Sequence, residues 1–544
     1  MELRHKRSQT RSSIIWLGLI IFLHLKMDFH VDYAEAADIL GIFPYLHTAG
    51  PLFVRPLVRV LVERGHKVTV ISPENSPTDI EGVRHLRVPA LNRQIRKIMD
   101  SDNYMHHFSS KWAKSILAAS MLANISTALL ADEGVQKMMK NRSERFDMVM
   151  LEASHLEAMY GLAEFYNATL IGVASMRLNW HVDDLAGNPS PSIHDSISQD
   201  GPSLKYSLLG RFYNWLDTTE EFLLERLVVR PAQLHIFERF FGYSAEKLEE
   251  LRSRFALILI NTHFSMGRVR ANVPNIIEVG GMHLSDPPEP CDEEMQRFLD
   301  EAEHGVIYFS MGLEIRFKYL PDYMQQPLLQ RFAELKQRVV WTNELFTTPN
   351  KTNNVYRIVR APQRIILSHP NTRLFITHGG LLSVIEAING GVPMLGLPLF
   401  FDQFNNMQRV EAAGMAKVLD WNTLSVDTLI NTVHEIIEQP NYAQKAREMA
   451  HNFRDRPMNP LDTAVWWTEY ALRHRNASHL RLNKSELPFM SYYQLDNLLP
   501  LLLRIAMILM AVIFLGYKLL EKQRFRQRRE QERNLLMMQQ IMFR

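Results

Sequence analysis

Residues 361–403 read APQRIILSHPNTRLFITHGGLLSVIEAINGGVPMLGLPLFFDQ. An apolar strand, Leu374 to Thr377, runs into His378-Gly379-Gly380, and a helical pattern follows. A strand that ends in glycines and opens a helix leaves backbone N–H groups aimed at one point, a natural seat for a diphosphate. His378 adds either a cation or an N–H donor to that field. Glu386, eight residues after the histidine, falls about two helical turns on and on the same face, where a carboxylate accepts both ribose hydroxyls. A Pro-bounded apolar strand, Pro393 to Phe400, then delivers Asp402-Gln403, placed to hold the hydroxyls of a sugar. An ordinary βαβ unit with a polar rim is the competing reading.

Outward from this stretch the chain alternates strands and helices. Ile39 to Pro44 is a short apolar strand, Leu52 to Glu63 a helix that Gly65 ends, and Lys67 to Ser72 the next strand. Apolar runs at Met148 to Leu151, Thr169 to Val173 and Leu257 to Ile260 continue the alternation. The segment Asp286-Pro287-Pro288-Glu289-Pro290 reads as a linker. After it the pattern restarts with strands at Gly305 to Ser310, Arg338 to Trp341, Arg364 to Leu367, Leu374 to Thr377 and Met394 to Leu397. Such alternation predicts an α/β protein with parallel sheets covered by helices on both faces. The predicted organisation is two doubly wound Rossmann-like domains, 37–285 and 286–480, facing a cleft.

Composition agrees: 544 residues, 46% hydrophobic and 22% charged, support two sizeable cores. A net charge of +2 implies no nucleic-acid partner, and the single cysteine, Cys291, rules out an intrachain disulfide. Arg4, Lys6, Arg7 and Arg11 precede an apolar run, Ile14 to Leu25, and the small-x-small pattern Ala34-Glu35-Ala36. Residues 1–36 therefore read as a signal peptide, with an uncleaved anchor as the alternative. Sequons begin at Asn124, Asn141, Asn167, Asn350, Asn476 and Asn483, usable only on a lumenal route. Leu498 to Tyr517 is twenty residues long and apolar, enough to cross a bilayer. A buried amphipathic helix is the alternative. The basic tail 518–544 that follows belongs on the cytosolic side, which makes the chain a single-pass type I membrane protein.

The stretch around His378 resembles the signature of the UDP-glycosyltransferase family, membrane-bound enzymes that conjugate small lipophilic molecules. Phe453 to His474, Ala477 to Arg481, Ile39 to Pro73, Phe146 to Glu152 and Gly280-Gly281 also fit, so the resemblance covers nearly the whole mature chain. It implies the glycosyltransferase-B fold, with the acceptor held by the first domain and the UDP-sugar by the second. It implies that Gln363, His378, Glu386, Asp402 and Gln403 contact UDP and the donor sugar. Ser310 and Gly312 belong to the family's diphosphate turn, beside Gly379 and Gly380. Leu381-Leu382-Ser383 is more like invertebrate members, which favours UDP-glucose over UDP-glucuronic acid as donor. The endoplasmic reticulum membrane, with a lumenal catalytic body, is the implied location. No cofactor or metal is implied, and association with itself or with related enzymes is open.

Three positions depart from the family pattern. The histidine that serves as base in the family corresponds to Gly50. A family serine or threonine corresponds to Leu313. A tryptophan expected to stack on uracil corresponds to Arg360, whose guanidinium plane can also stack. Glu152 keeps the place of the acidic partner that orients the base. His47, three residues before Gly50, is a candidate substitute base, with a solvated loop histidine as the alternative. The implied reaction is inverting transfer of a hexose to a small lipophilic acceptor. A catalytically impaired member that binds nucleotide sugar, or serves as a regulatory partner subunit, is the second reading. A lipophile carrier on the same fold is the third.

Overall fold

The computed structural model describes residues 36–44, 49–73, 80–99, 111–176, 179–188, 216, 218–266, 272–312, 322–342, 350–352, 354–399, 402–475, 477–482 and 495–542. The signal peptide expected up to Ala36, His47 and Leu313 therefore lie outside the described residues, apart from Ala36 itself.

Seven strands form the first sheet: β1 (Asp38–Ile42), β2 (Lys67–Ser72), β3 (Arg84–Arg87), β4 (Met148–Glu152), β5 (Thr169–Ala174), β6 (Leu257–Ile260) and β7 (Ile276–Glu278). Their order is β3-β2-β1-β4-β5-β6-β7, and every pairing is parallel. The second sheet contains β8 (Val306–Ser310), β9 (Arg338–Thr342), β10 (Asn350–Thr352), β11 (Val355–Ile358), β12 (Thr372–Thr377), β13 (Met394–Gly396) and β14 (Ala416–Val418). Its order is β10-β11-β9-β8-β12-β13-β14, parallel except for the short β10–β11 hairpin. Strands such as LILI in β6 and VIYFS in β8 are apolar at nearly every position and buried throughout, as strands covered on both faces must be. In both sheets the strand order reverses once, between β1 and β4 and between β8 and β12. Ligands of doubly wound folds bind outside the carboxyl ends of strands at such reversals.

The Pro-rich stretch 286–290 falls between the last strand of the first sheet and the first strand of the second. The helix Pro460–Arg473 follows the second sheet in sequence yet packs back on the first. Its Leu461, Ala464 and Val465 join the core formed by Ile39, Val68, Met148 and Leu257. Glu469 on the same helix receives Arg64 at 2.9 Å.

One predicted strand is wrong. Arg364 to Leu367 lies in a helix, Gln363–Ser368, capped by Pro362. A four-residue apolar run carries no period that separates strand from helix, and Pro362 fixes a φ suited to a helix start. The strand beside β9 is instead β11, Val355–Ile358. The strand predicted over Pro393 to Phe400 is also shorter: β13 spans Met394–Gly396, after which the Leu397 N–H bonds back to the Thr377 carbonyl.

The residues from 483 onward form a separate unit. Its helix runs unbroken from Leu495 to Met542, about 72 Å at 1.5 Å per residue. The expected span 498–517 and much of the basic tail 518–544 thus belong to one helix. It is the one helix among the described residues long and apolar enough to cross a membrane.

Candidate active site

β8 and β12 are neighbours in register, with Ser310 opposite Thr377, so the chain leaves both strands side by side at the reversal of the second sheet. After β8 comes Gly312, in the left-handed region at φ +76°. After β12 come His378, Gly379 and Gly380. A Cβ on Gly312 would lie 2.7 Å from Cε1 of His378, and one on Gly380 would lie 2.5 Å from its Nε2. Glycine at these two positions is what lets two chain turns close on the edges of one imidazole. Thr377 Oγ1 accepts the Gly379 N–H at 3.2 Å, and Asn406 Nδ2 donates to the Gly379 carbonyl at 3.0 Å, fixing the turn between them. Ser310 Oγ accepts the Gly312 N–H at 3.4 Å.

His378 is 8% exposed, and burial pushes its pKa down to about 4. Of the two contributions expected from the sequence, the imidazole here offers an N–H rather than a cation. Its Nδ1 has no hydrogen-bond partner among the described residues. Gly380 occupies the cap of the helix Leu381–Gly390 and supplies no side-chain acceptor. First-turn N–H groups of a helix have no intrahelical partner, and the helix end carries partial positive charge. The site thus gathers neutral donors and a positive dipole, a field suited to a diphosphate.

Beside it, Gln363 and Glu386 form a pair. Gln363 Nε2 donates to Glu386 Oε2 at 2.6 Å and to Ser383 Oγ at 3.0 Å, while Tyr308 Oη donates to Gln363 Oε1 at 3.2 Å. Burial pushes the Glu386 carboxyl up to about 7, against the pull of the Gln363 hydrogen bond and of Arg364. His283 Nε2 stands 3.7 Å from Glu386 Oε1, and burial holds this histidine down to about 3, hence neutral. Arg364 donates to the carbonyls of His283 at 3.5 Å, Leu284 at 2.6 Å and Asp286 at 2.6 Å, tying the segment before β8 to the helix that starts at Gln363. A cleft of about 300 Å³ opens next to Glu386, with Leu284, Arg364 and His369 in its wall. Arg360, expected to stack on a base, is more than half exposed and pairs with Glu289.

Asp402 occupies the N-cap position of the helix Gln403–Ala412 without a side-chain cap bond, and Gln403 is buried with its amide oxygen accepting the Leu399 N–H at 2.9 Å. Gln403 therefore also shapes the loop that leads from β13.

On the first sheet, Ile42 of β1 pairs with Leu151 of β4, so Glu152 and the segment after β1 flank the reversal there. Gly50 is buried in the first turn of the helix Ala49–Glu63. Glu152 Oε1 accepts the Ser175 N–H at 3.1 Å and the Ser175 hydroxyl at 2.9 Å. Ser175, which closes β5, was not anticipated, nor were Tyr308 and His283 around Gln363 and Glu386. Their only sequence signal is a place within or just after a buried strand, or in the segment between sheets. Among the described residues one group of metal-ligating type converges, His155, His181 and Glu225. Their wide separation along the chain hides it from a reading of spacings.

Residues 47–530 match the family described as UDP-glucoronosyl and UDP-glucosyl transferase. The chain is 30% identical over 509 residues to UDP-glycosyltransferase UGT5 of Dactylopius coccus, covering 92% of this chain and 95% of that protein. It is 28% identical to 2-hydroxyacylsphingosine 1-beta-galactosyltransferase of Rattus norvegicus, covering 87% of each. Among solved structures, CalG4, the calicheamicin glycosyltransferase, matches with a TM-score of 0.58 at 16% identity, over 81% of this chain and 99% of that one. This last likeness is one of fold.

Proposed function

This chain belongs to the UDP-glucoronosyl and UDP-glucosyl transferase family and has the glycosyltransferase-B fold, and from that premise we propose that it transfers a hexose from a UDP-sugar to a small lipophilic acceptor. The observation that carries the reading is the closure of Gly312 and Gly380 on His378 at the reversal of the second sheet. UDP's diphosphate sits on the first turn of Leu381–Gly390. Gln363 and Glu386 receive the uridine, with the Glu386 carboxylate accepting the ribose hydroxyls. Asp402 and Gln403 orient the sugar. The acceptor oxygen attacks the anomeric carbon as the bond to the diphosphate breaks, which inverts that carbon. The negative charge that grows on the departing UDP meets the His378 N–H and the helix end, donors preorganised where charge develops. The step needs no metal or cofactor.

The acceptor's proton must go to a base. Gly50 offers none, and Glu152 is held by Ser175. His47 remains the candidate base. Phenols and carboxylic acids, which ionise readily, are the acceptor class that suits such a site. The galactosyltransferase relative, whose name specifies an acylsphingosine, supports a lipophilic acceptor. The donor is a UDP-hexose, with glucose preferred. The C-terminal helix supports anchoring in a membrane, and the reading places the body in the lumen of the endoplasmic reticulum. The test is UDP release by the detergent-solubilised chain over a panel of phenols and acids. Wild type turns over and His378→Ala loses about 10²–10³ in rate; equal rates would remove His378 from the mechanism.

A further inference from the structure

Away from the donor site, His155, His181 and Glu225 meet in the first half of the chain. His155 follows β4, His181 lies in the helix Trp180–Ala186, and Glu225 opens the π-helical stretch Glu225–Val229. One ligand atom from each lies within 4.8 Å of the others. The two imidazoles approach to 3.8 Å between ring centres at a tilt of 42°. His181 and Glu225 are 1% and 2% exposed, and the buried Nδ1 of His155 has no hydrogen-bond partner among the described residues.

Two further features bear on the same place. Glu225 is held in position by cations: Arg252 pairs with Glu157, with Asp184 at 2.7 Å and with Glu225 at 3.4 Å, while Arg230 pairs with Glu225 at 3.2 Å and with Glu249. The backbone there takes a single π-helical turn, a rare form found frequently at functional sites, and the turn begins at the carboxylate itself.

We propose that His155, His181 and Glu225 form a binding site for one divalent ion of the zinc class. Two imidazoles and one carboxylate suit zinc better than magnesium or calcium, which prefer all-oxygen sets. Three protein ligands leave a fourth position for water. Tetrahedral ligation at about 2.1 Å sets ligand atoms about 3.4 Å apart, so the side chains draw in by about 1 Å on binding. The ion joins the end of β4, the helix Trp180–Ala186 and the helical segment holding Glu225. Its ligands belong to elements around the first sheet, whereas the glycine turn belongs to the second, and the ion takes no part in the transfer step proposed above.

The test uses the full-length solubilised chain without a histidine tag, stripped by chelator and titrated with Co²⁺ and then Zn²⁺. Expected are one ion per chain, a Co²⁺ ligand-field absorption that Zn²⁺ displaces, and a rise in thermal midpoint with one equivalent of Zn²⁺. His155→Gln and Glu225→Gln should each weaken Co²⁺ binding by at least about 100-fold, beyond the 10–100-fold typical of outer-shell changes. His283→Gln, a buried histidine elsewhere, should bind as wild type. Should the ligand variants fail to fold, the wild-type stoichiometry and midpoint decide. Less than about one-tenth of an ion per chain with no midpoint shift, or ligand variants that bind like wild type, overturns the proposal.

Discussion

Glu386→Gln tests the nucleoside half of the site in a way the structure makes quantitative. Burial raises the Glu386 carboxyl from an ordinary 4.5 to about 7, so near neutrality it is half protonated before ligand arrives. Accepting two ribose hydroxyls requires the carboxylate. Binding of UDP-glucose, whose diphosphate has no group that titrates near neutrality, must therefore release a proton, and its affinity must climb with pH. Between about pH 6 and about pH 8 the ionised fraction of a group titrating near 7 goes from about one in eleven to about ten in eleven, a rise of about tenfold in apparent affinity. Glutamine keeps an oxygen for Gln363 Nε2 but not the charge. Its expected cost is about 2–4 kcal/mol, or roughly 30- to 1000-fold in Kd, with the pH dependence gone. Stability moves the other way. A raised carboxyl pKa contributes stability that is present below 4.5 and lost as pH rises through about 7. Glu386→Gln should therefore make the ligand-free protein more stable at about pH 8, by up to roughly 3 kcal/mol. Calorimetry in two buffers of different ionisation heat reads affinity and proton release together, and denaturant titration reads the stability. A wild-type Kd that is flat across this range, with no proton released, would refute the role assigned to Glu386.

Three other changes probe separate links. Gly380→Ala has an allowed backbone, φ −58°, but its Cβ would overlap His378 Nε2; turnover should fall by about 10²–10³ with little change in melting temperature, and a variant of normal activity would show the imidazole is not held as described. Arg364→Ala removes donors to three carbonyls and should cost about 2–4 kcal/mol in denaturant unfolding, an unchanged midpoint being the contrary result. Gly50→His should raise turnover of an alcohol acceptor by about 10²–10⁴ while UDP affinity stays the same; no gain would mean that the base lies elsewhere or that none is used.

Much of the backbone of the candidate site was legible because its residues are close in sequence and its backbone needs are local. A buried strand, two glycines and an amphipathic helix can be read directly from residues 372–390, and Glu386 follows from helical spacing. What surrounds these residues comes from strand order. Nothing in the text of β8 says that it lies beside β12, yet that adjacency sets Gly312 against His378 and Tyr308 against Gln363. His283 meets Glu386 through the segment between the sheets, a contact without local pattern. Arg364 to Leu367 was misread because four apolar residues fit either period, and tertiary position chose the helix. The protonation states were hidden as well: the sequence leaves His378 as either a cation or an N–H donor, and it is neutral in the fold, because desolvation decides it.

The most direct test of the account is calorimetric titration of the detergent-solubilised full-length chain with UDP and UDP-glucose, which requires no knowledge of the acceptor. The account predicts saturable binding of one nucleotide per chain, lost or severely weakened in His378→Ala and Glu386→Gln. Absence of binding by a folded wild-type sample, or equal binding by both variants, would contradict it.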